Sequence, residues 1–375
     1  MAPHVVLNAH LLSGDASYRS AGIHGYIYNS LDALAQLDSP FRCTLLLGKG
    51  QLPQSVSWTT ERSRLDTSKR LTRILWEQTA LPFKLAQLQP DLFHGMAFAL
   101  PAAWRGPAVV TIYDLSFIRY PERLGRLRRL YLTQATRQAV QRASAVLAIS
   151  ESGKTEINRL LRVPIDRIVV ARPGVRPQFR PLPAEAINAF RAEYGLPDRF
   201  ILHVGTLEPR KNLEVLVRAY AQLPHRGDFK LVLVGGTGWQ TGPLLELIAS
   251  LRLTSDILMP GYVSNDSLPM WYNAANLFVY PSVYEGFGMP LVEALACGKP
   301  VLASNTTSLP EAVGPMGRLL PAHDVDAWVE GMTAALDQTD DKQHAEARQR
   351  WASQFTWEHT ARQTLAAYQQ ALNAS

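Results

Sequence analysis

The sequence has very few cysteines, and it lacks a long hydrophobic run and a leader-like N-terminus. Cys43 and Cys297 are the two cysteines among 375 residues, which excludes a disulfide framework or a zinc cluster and indicates a reducing compartment. No apolar run of about 18 residues is present, so no membrane-spanning helix is predicted. The opening residues, MAPHVVLNAH, lack the charged region and the long apolar region of a signal peptide. We therefore expect a cytoplasmic protein.

What is present indicates a folded protein with two domains. The chain is longer than one compact core usually allows, and its 47% hydrophobic and 19% charged residues are typical of globular proteins. Four prolines fall within residues 173–183, where neither a helix nor a central strand can form. We predict domains at 1–175 and 184–356, joined by an extended linker at 176–183.

Charge is distributed unevenly between the two halves. Residues 1–180 carry 24 Lys and Arg against 12 Asp and Glu, a net charge of +12, whereas residues 181–375 carry 14 against 20, a net charge of −6. A basic half indicates an anionic partner, which could be nucleic acid, an anionic membrane or a phosphorylated substrate, or else a solvated surface. The basic stretches Arg62–Arg73 and Arg119–Arg129 are not interleaved with a set of stacking aromatics, which favours anionic lipid over nucleic acid.

Short apolar segments alternate with helical patterns throughout both halves. This alternation predicts two α/β domains, each a doubly wound parallel sheet covered by helices on both faces. The last helical pattern, Trp357–Leu372, has no strand after it. The predicted strands are His4–Leu7, Cys43–Leu47, Leu92–His94, Ala108–Ile112, Ala145–Ile149 and Arg167–Val170 in the first half, and Arg199–Val204, Lys230–Val234, Ile257–Met259, Leu277–Tyr280 and Val301–Ala303 in the second.

Three polar segments follow predicted strands, at the sheet edge where open parallel sheets bind their ligands. The first reads GTLEPRKN from Gly205 and precedes a helical pattern that starts at Leu213. Its adjacent Arg210 and Lys211 supply two cations beside the unpaired N–H groups of a helix start, which predicts a diphosphate site. The alternative is an exposed basic turn in which Asn212 caps the helix.

The second segment reads PSVYEGFGMPLVEA from position 281. Gly286 and Gly288 allow a backbone to approach a ligand closely, and Pro290 can occupy the first turn of the next helix. Seven residues separate Glu285 from Glu293. Both carboxylates could accept hydrogen bonds from different hydroxyls of an extended polyhydroxylated ligand. The alternative is that the helix dipole alone favours a glutamate there.

The third segment, SAGIHGY at 20–26, follows the first strand and precedes a helix expected from Ile27 to Leu37. Its small residues could admit a phosphate or an acceptor.

Two further motifs do not support a metal or a nicotinamide cofactor. Asp324-Val325-Asp326 has the letters of a metal-binding Asp-x-Asp, but its place before Ala327 predicts a helix cap instead. The glycine-rich run at 235–238 follows a strand without completing G-x-G-x-x-G, and no P-loop lysine motif is present.

The motifs EPRKN, EGFGMPLVE and PEAVG, the last at Pro310–Gly314, together resemble the retaining glycosyltransferases of family 4. The resemblance covers essentially the whole chain. It implies the GT-B architecture, in which two Rossmann-like domains face a cleft. It also implies that the C-terminal helix, here 357–375, crosses back to an N-terminal acceptor domain, and that residues 184–356 form the donor domain.

The resemblance also implies which residues bind a nucleotide-sugar donor. Arg210 and Lys211 would hold the diphosphate, Glu285 with the amides of Phe287 and Gly288 would bind the sugar, and Glu293 would bind the ribose. Gly22 would meet phosphate or sugar. The implied donor-binding positions are Gly22, Gly205, Arg210, Lys211, Val263, Glu285, Gly286, Phe287, Gly288, Met289, Pro290, Leu291 and Glu293.

The first half resembles the family through TIYDLSF at 111–117, where Tyr113 replaces a histidine that is usual in the family. We predict Asp114, His94 and Glu285 as the catalytic candidates.

The resemblance implies a reaction without a metal or a cofactor. A hexosyl group, mannose or a related sugar, would pass from a GDP-sugar to a hydroxyl of a saccharide or lipid-linked acceptor in cell-surface glycan synthesis, with retained anomeric configuration. The leaving phosphate could itself accept the proton of that hydroxyl. The alternatives are a UDP-sugar donor, or a sugar-nucleotide epimerase or hydrolase of the same architecture.

Overall fold

A computed structural model of the chain describes residues 2–12, 21–238, 240–338 and 341–374. The chain divides into unit 1, Met1–Gly174 with Trp357–Ser375, and unit 2, Val175–Thr356. The assignment of unit 1 to the acceptor and of unit 2 to the donor stays a prediction.

The strands and helices alternate along the chain in both units. The strands are β1 His4–Asn8, β2 Arg42–Leu47, β3 Thr59–Arg62, β4 Leu92–Gly95, β5 Ala108–Ile112, β6 Ala145–Ala148, β7 Ile168–Val170, β8 Phe200–Val204, β9 Lys230–Val234, β10 Ile257–Gly261, β11 Leu277–Tyr280, β12 Val301–Ser304 and β13 Arg318–Leu320. The helices are α1 Ala21–Gln36, α2 Arg70–Gln78, α3 Ala80–Leu88, α4 Ser116–Arg119, α5 Arg126–Arg142, α6 Glu151–Leu161, α7 Ala184–Tyr194, α8 Leu213–Ala221, α9 Gly242–Ser250, α10 Leu268–Ala274, α11 Met289–Ala296, α12 Leu309–Val313, α13 Val325–Asp337, α14 Lys342–Ala352 and α15 Trp357–Asn373.

Each unit contains one parallel sheet in the described part of the chain. The sheet of unit 1 has seven strands in the order β3-β2-β1-β4-β5-β6-β7, and that of unit 2 has six in the order β10-β9-β8-β11-β12-β13. The predicted α/β class is therefore confirmed. All the predicted strands are present, with ends that differ by at most two residues.

Strands β3 and β13, which each form one edge of a sheet, were not predicted from the sequence. The residues of β3, TTER, are exposed or half-buried, and β13 has one buried residue. An edge strand pairs on one side only, so it needs no continuous apolar run and leaves none to detect.

The central strands are apolar because helices cover both faces of each sheet. In unit 2, Leu231 and Leu233 of β9 point to the same face and are fully buried with Tyr220 of α8 and Trp328 of α13. The intervening Val232 is equally buried on the other face. This two-sided burial explains why the strand sequence does not alternate between polar and apolar residues.

The last helix belongs to unit 1, as the family resemblance implies. Helix α15 contacts α1, and the rings of Trp357 and Tyr26 meet edge to face with centroids 5.5 Å apart. Tyr368 of α15 is fully buried, and its hydroxyl lies 2.8 Å from Nδ1 of His94 at the end of β4.

The proline-rich segment predicted as a linker is held along unit 2. Phe179 is buried, with its ring centroid 5.8 Å from that of Tyr272. The Asn273 side chain donates to the carbonyl of Arg180 at 2.9 Å and accepts from the amide of Leu182 at 3.0 Å. Residues 176–183 thus have an ordered path against α10.

None of the helices in the described residues combines the length and the apolar character needed to cross a bilayer.

Candidate functional site

Two of the predicted segments meet at the carboxyl edge of the sheet in unit 2. Strands β8 and β11 are neighbours in the sheet although 72 residues of chain separate the end of β8 from the start of β11. The segment after β8 therefore lies beside the segment after β11, and the amide of Val283 donates to the carbonyl of Arg210 at 3.0 Å.

The carboxylate of Glu285 joins both predicted cations. Its Oε2 lies 2.6 Å from Nη1 of Arg210, and its Oε1 lies 2.7 Å from Nζ of Lys211. On the other side of the guanidinium, Oε1 of Glu208 accepts from Nε at 3.0 Å and from Nη2 at 2.7 Å. These four side chains are 7–17% exposed and form a charge network with no net charge.

The network holds its members in their charged forms against burial. Burial alone would raise the pKa of the Glu285 carboxyl, but Arg210 and Lys211 outweigh it and keep this pKa well below the ordinary value. Burial lowers the pKa of Lys211, and Glu285 opposes that shift. The pKa of Arg210 is raised, because Glu285 and Glu208 outweigh the effect of its burial. Without a ligand, Glu285 is therefore the anion that bridges the two cations, and Glu208 supplies the second negative charge of the network.

The two cations are not presented by a capped helix start. Pro209–Lys211 forms a single 3₁₀ turn, and Asn212 follows with a φ of 56° and no capping hydrogen bond from its side chain. Its amide group instead donates to the carbonyls of Pro281 at 3.1 Å and Ala322 at 2.6 Å. The alternative of an exposed basic turn capped by Asn212 is therefore wrong.

Two site residues, His203 and Tyr280, escaped the analysis of the sequence. The Tyr280 hydroxyl accepts from Nζ of Lys211 at 2.5 Å, and its ring stacks on His203 with centroids 5.4 Å apart. Burial, and after it the charge of Lys211, lower the pKa of His203 to about 3. Nδ1 of this neutral ring donates to the carbonyl of Val279 at 3.0 Å, and its Nε2 is buried without a partner. The signal in the sequence that could have identified both residues is their position as polar residues near the end of an apolar strand.

Gly205 is needed for the close approach of Lys211. A Cβ atom at this position would lie 3.2 Å from both Cε of Lys211 and Nε2 of His203. The glycine therefore provides space for the lysine to reach Tyr280 and Glu285.

Hydrogen bonds from a second loop, which contains Thr307 and Ser308, hold the glycine-rich loop after β11 in place. Thr307 Oγ1 accepts from the amide of Glu285 at 3.1 Å, and Ser308 Oγ donates to its carbonyl at 3.0 Å. Gly288 precedes α11 with a φ of 109°, where a side chain would be strained and would also approach Leu309. Pro290 stands in the first turn of α11, as predicted.

The remaining implied donor-binding residues of unit 2 lie in different environments. Phe287 and Leu291 are buried, so their side chains are not open to a ligand. Glu293 accepts from the Tyr272 hydroxyl at 2.9 Å, and burial raises the pKa of its carboxyl. Val263 is half-buried in the loop after β10. Gly286 and Met289 are also half-buried.

In unit 1, the segment expected as a loop before α1 is partly helical. Helix α1 begins at Ala21, so Gly22 lies in its first turn, where it is exposed. A Cβ atom on Gly22 would meet no atom within 4 Å. Ser20 lies outside the described residues. Small residues at a helix start are compatible with a helix as well as with a loop, which explains the shifted boundary.

The catalytic candidates of unit 1 have clear local partners. Oδ1 of Asp114 accepts from the amide of Ser116 at 2.8 Å, at the start of α4. His94 is 1% exposed, its Nε2 lies 2.9 Å from the Thr111 hydroxyl, and burial lowers its pKa to about 3. Tyr113 is buried, and its hydroxyl donates to the carbonyl of Met96 at 2.7 Å. These contacts favour a structural role for His94, whose catalytic role stays a prediction.

The two rejected motifs have structural explanations. Oδ1 of Asp324 accepts from the amide of Ala327 at 3.0 Å and caps α13, which confirms the predicted cap. Gly235 has a φ of 152° and packs on the backbone of Gly205. A glycine is therefore needed at this position because two loops approach each other closely.

Comparison with known proteins covers both units. A family described as "Glycosyltransferase Family 4" matches residues 22–179, and one described as "Glycosyl transferases group 1" matches residues 187–354. The chain is 37% identical over 281 residues to "O-antigen chain mannosyltransferase B" of Escherichia coli, and the match covers 74% of each protein.

Two further relatives match over a smaller part of their own length. The chain is 32% identical over 326 residues to "Serotype-specific mannosyltransferase WbdA" of Escherichia coli, a match that covers 80% of this chain and 39% of that protein. It is 32% identical over 245 residues to "D-inositol 3-phosphate glycosyltransferase" of Mycolicibacterium smegmatis, covering 63% of this chain and 55% of that protein. The chain thus spans about two fifths of the length of WbdA.

Solved structures share the fold over the whole chain. Sucrose-phosphate synthase from Thermosynechococcus elongatus superposes with a TM-score of 0.79 at 23% identity and covers 100% of both chains. HepE of Anabaena, in complex with UDP and glucose, gives a TM-score of 0.71 at 21% identity over 98% of this chain and 99% of its own. These likenesses confirm the predicted GT-B class of fold.

Proposed function

The chain belongs to glycosyltransferase family 4, and on that premise we propose that it transfers mannose or a related hexose from a GDP-sugar to a saccharide or lipid-linked acceptor in cell-surface glycan synthesis. As a member of the family it is a retaining glycosyltransferase that uses a nucleotide-sugar donor and an acceptor. The observation that carries the proposal is the network of Glu285, Arg210 and Lys211 at the ends of β8 and β11. The choice of mannose is supported by the names of the Escherichia coli relatives.

The network supports a donor diphosphate because it already contains one anion between two cations. Arg210 and Lys211 contact separate oxygens of the Glu285 carboxylate. A diphosphate presents the same kind of oxygen with more charge, and guanidinium groups bind it through paired hydrogen bonds. We propose that the diphosphate takes over these contacts and that Glu285 is released to accept hydrogen bonds from the hydroxyls of the donor sugar.

The same groups would stabilise the charge that develops during transfer. The bond from the anomeric carbon to the leaving phosphate oxygen breaks, and a bond to the acceptor oxygen forms on the same face. The acceptor proton passes to the leaving phosphate, whose growing negative charge Arg210 and Lys211 stabilise. We propose that Asp114 binds the acceptor hydroxyl and that Glu285 orients the donor sugar.

The donor is tested with a panel of GDP-, UDP-, ADP- and dTDP-sugars, with thermal shift and nucleotide release as readouts. We expect GDP-mannose or a related GDP-hexose to give the largest thermal shift, and GDP release to require a saccharide acceptor. A stronger response to UDP-sugars would contradict the proposed base. Release at an equal rate without an acceptor would indicate a hydrolase, and an isomerised sugar nucleotide would indicate an epimerase. Stabilisation by NAD(P) alone would contradict transfer altogether.

We also propose that unit 1 rests on an anionic membrane through α2, α3 and the first turns of α5. Five large apolar side chains are exposed there, including Leu71 at 81% and Leu127 at 85%. Their spacing places Leu71 with Leu75 on one face of α2, and Leu127 with Leu130 on one face of α5. The fifth exposed apolar side chain is that of Phe83 of α3. Because Lys69, Arg70, Arg126 and Arg129 flank these residues in the sequence, the surface combines apolar insertion with attraction to anionic lipid.

Vesicle flotation at low and high salt tests the membrane contact. The double substitution Leu71→Ser with Leu127→Ser is expected to lower the fraction that floats with anionic vesicles several-fold, because it removes apolar insertion while keeping every charge. Leu245→Ser is the matched control, since Leu245 is an exposed leucine of unit 2, at 46%. Flotation that depends neither on anionic lipid nor on salt would overturn the proposal.

A further inference from the structure

A second group of charged and polar side chains lies in unit 1, away from the donor network in the sequence. We name it the β1 cluster and define it by His10, just after β1, Arg70, Arg73 and Glu77 of α2, and Arg128 and Tyr131 of α5. Arg73 acts electrostatically on His10, Glu77, Tyr131 and Arg128, so these side chains share one neighbourhood. The cluster is at the carboxyl edge of the sheet, where open parallel sheets bind ligands.

The described residues neutralise the positive charges of the cluster only in part. Among the residues that the structure describes, the guanidinium groups of Arg70, Arg73 and Arg128 form no ion pair and no hydrogen bond. Burial lowers the pKa of both Arg73 and Arg128, and neighbouring arginines contribute to each shift. Arg73 is half-buried, whereas Arg70 and Arg128 are exposed beside it. Like charges gathered around a partly desolvated one repel each other unless an anion joins them. Of the three arginines, Arg73 interacts with a carboxyl group of the cluster, that of Glu77, and it also interacts with the other two arginines.

Glu77 compensates these charges only in part. Burial raises the pKa of its carboxyl to about 7, although Arg73 opposes the shift. Its one hydrogen bond comes from the Asn8 amide at 3.5 Å. The cluster accordingly keeps an excess of two or three positive charges near neutral pH.

Two buried polar atoms of the cluster also lack a partner. The Tyr131 hydroxyl and Nε2 of His10 are buried without a hydrogen bond, and His10 is 4% exposed. The His10 ring is fixed by stacking on Trp76, with centroids 3.9 Å apart, and Nδ1 lies 2.9 Å from the Thr67 hydroxyl. When Nδ1 accepts from that hydroxyl, Nε2 carries the proton and is a donor. Buried donors without partners are rare and costly in folded proteins, which indicates a missing ligand.

We propose that the β1 cluster binds a phosphate or diphosphate group carried by the acceptor, at a site separate from that of the donor diphosphate. This inference rests on the proposed function, because it names the chemical class of the acceptor. Three guanidinium groups, a phenol and an imidazole N–H all donate, which suits an oxyanion better than a neutral sugar. The phosphate could belong to a soluble glycosyl phosphate or to a lipid-linked one, and its chemistry would be the same.

The binding test uses inorganic pyrophosphate and the full-length chain in isothermal titration. We expect two sites in the wild type. The double variant Arg73→Gln with Arg128→Gln should lose one of them, at least 10-fold in Kd, and keep the other. Lys211→Met should do the reverse. Arg137→Gln is the matched control because Arg137 is an exposed arginine of the same helix as Arg128. Glu77→Gln removes the competing carboxylate and should leave the affinity unchanged or raise it.

Circular dichroism and thermal melting show whether each variant is folded. If the double variant is folded and still binds two equivalents of pyrophosphate, the inference is overturned. The same holds if the wild type binds one equivalent that Lys211→Met abolishes. The pyrophosphate titrations do not depend on transfer activity. If the wild type transferred no sugar, the proposed function would be contradicted, and the test of the anion site would still be valid.

Kinetic assays identify the source of the phosphate. With a water-soluble glycosyl diphosphate acceptor, the double variant should raise KM at least 10-fold and leave the affinity for the nucleotide donor unchanged. The same rise with a lipid-tailed acceptor in detergent would show that the acceptor phosphate is recognised in both forms. If KM changes only when anionic vesicles are present, the arginines bind lipid headgroups, and the acceptor site is overturned. An equal KM for acceptors with and without phosphate would also overturn it.

Discussion

Replacing Glu285 with glutamine is expected to lower turnover about 100-fold while nucleoside diphosphate binds as tightly as before, or more tightly. The wild-type carboxylate contacts both Arg210 and Lys211, at 2.6 Å and 2.7 Å, so a phosphate must displace it to reach them. Glutamine keeps the shape and removes the charge, which frees Lys211 from its carboxylate and leaves Arg210 with Glu208 as its one remaining carboxylate partner among the described residues, so both cations can bind an anion more readily. The sugar hydroxyls lose a charged acceptor with two oxygens and keep one neutral amide oxygen, so transfer suffers while diphosphate binding does not.

Titration calorimetry with the nucleoside diphosphate and steady-state kinetics separate these two effects. Glu246→Gln, at an exposed position of α9, is the control and should change neither. A parallel loss of binding and turnover would contradict the displacement, since it would mean that Glu285 supports the phosphate site instead of competing for it.

The same substitution should affect stability in a pH-dependent way. Arg210 and Lys211 outweigh burial and hold the pKa of the folded Glu285 carboxyl below its ordinary value. Its contribution to folding is therefore present in full above the unfolded pKa of about 4.3 and is lost as the pH falls through the lower folded value. The melting temperatures of wild type and Glu285→Gln should thus differ most near neutral pH and converge in acid.

Replacing Lys211 with methionine should weaken nucleoside diphosphate binding about 100-fold and lower kcat/KM at least as much. Lys211 has its ammonium group 2.7 Å from Glu285 and 2.5 Å from the Tyr280 hydroxyl. Its removal takes away one of the two cations available to the diphosphate and leaves Glu285 to compete for the other.

Because this lysine is 7% exposed, its loss should also cost about 3 kcal/mol of folding free energy, from a buried carboxylate left with one partner fewer. Lys230→Met is the matched control: Lys230 makes an ion pair of 2.7 Å with Asp256 elsewhere in unit 2. Denaturant unfolding measures the free energy of unfolding of each variant at a temperature at which all of them are folded. Binding is compared at the same temperature. Undiminished diphosphate binding by folded Lys211→Met would rule out the proposed phosphate site.

The catalytic candidates of unit 1 show why a motif alone does not define a role. His94 ends an apolar strand, as many active-site residues do, but its two ring nitrogens contact Tyr368 and Thr111 in a buried position. Tyr368 lies on α15, far along the chain, so the partner that holds the ring could not be inferred from the residues around His94. His203 has the same position in its strand and was overlooked, although its ring supports the tyrosine that binds Lys211.

The β1 cluster is a second group of residues whose role could not be predicted from the sequence. His10, Arg73 and Arg128 come from a strand end and two helices that are far apart in the chain. Each residue by itself is an ordinary histidine or surface arginine, and the basic character of the first half indicated only that some anion is involved. The missing partners of these side chains became apparent only when the three elements were placed together.

The features that could be predicted from the residues alone are local in origin. Central strands that are buried on both faces need continuous apolar runs, and close loop approaches need glycine, so the strand pattern and the EPRKN and EGFGMPLVE segments could be read directly and pointed to the family. The edge strands β3 and β13 escaped because single-sided pairing leaves no such run.

The tertiary structure alone decided which charges meet. Glu285 neutralises Arg210 and Lys211 because β8 and β11 are neighbours in the sheet, an arrangement set by the crossover connections and not by residues near any one motif. The same dependence on distance gathers Arg70, Arg73 and Arg128 in unit 1, where none of the three forms an ion pair with another described residue. Pairing of charges depends on distances of a few ångströms between distant segments, and only the folded chain contains those distances.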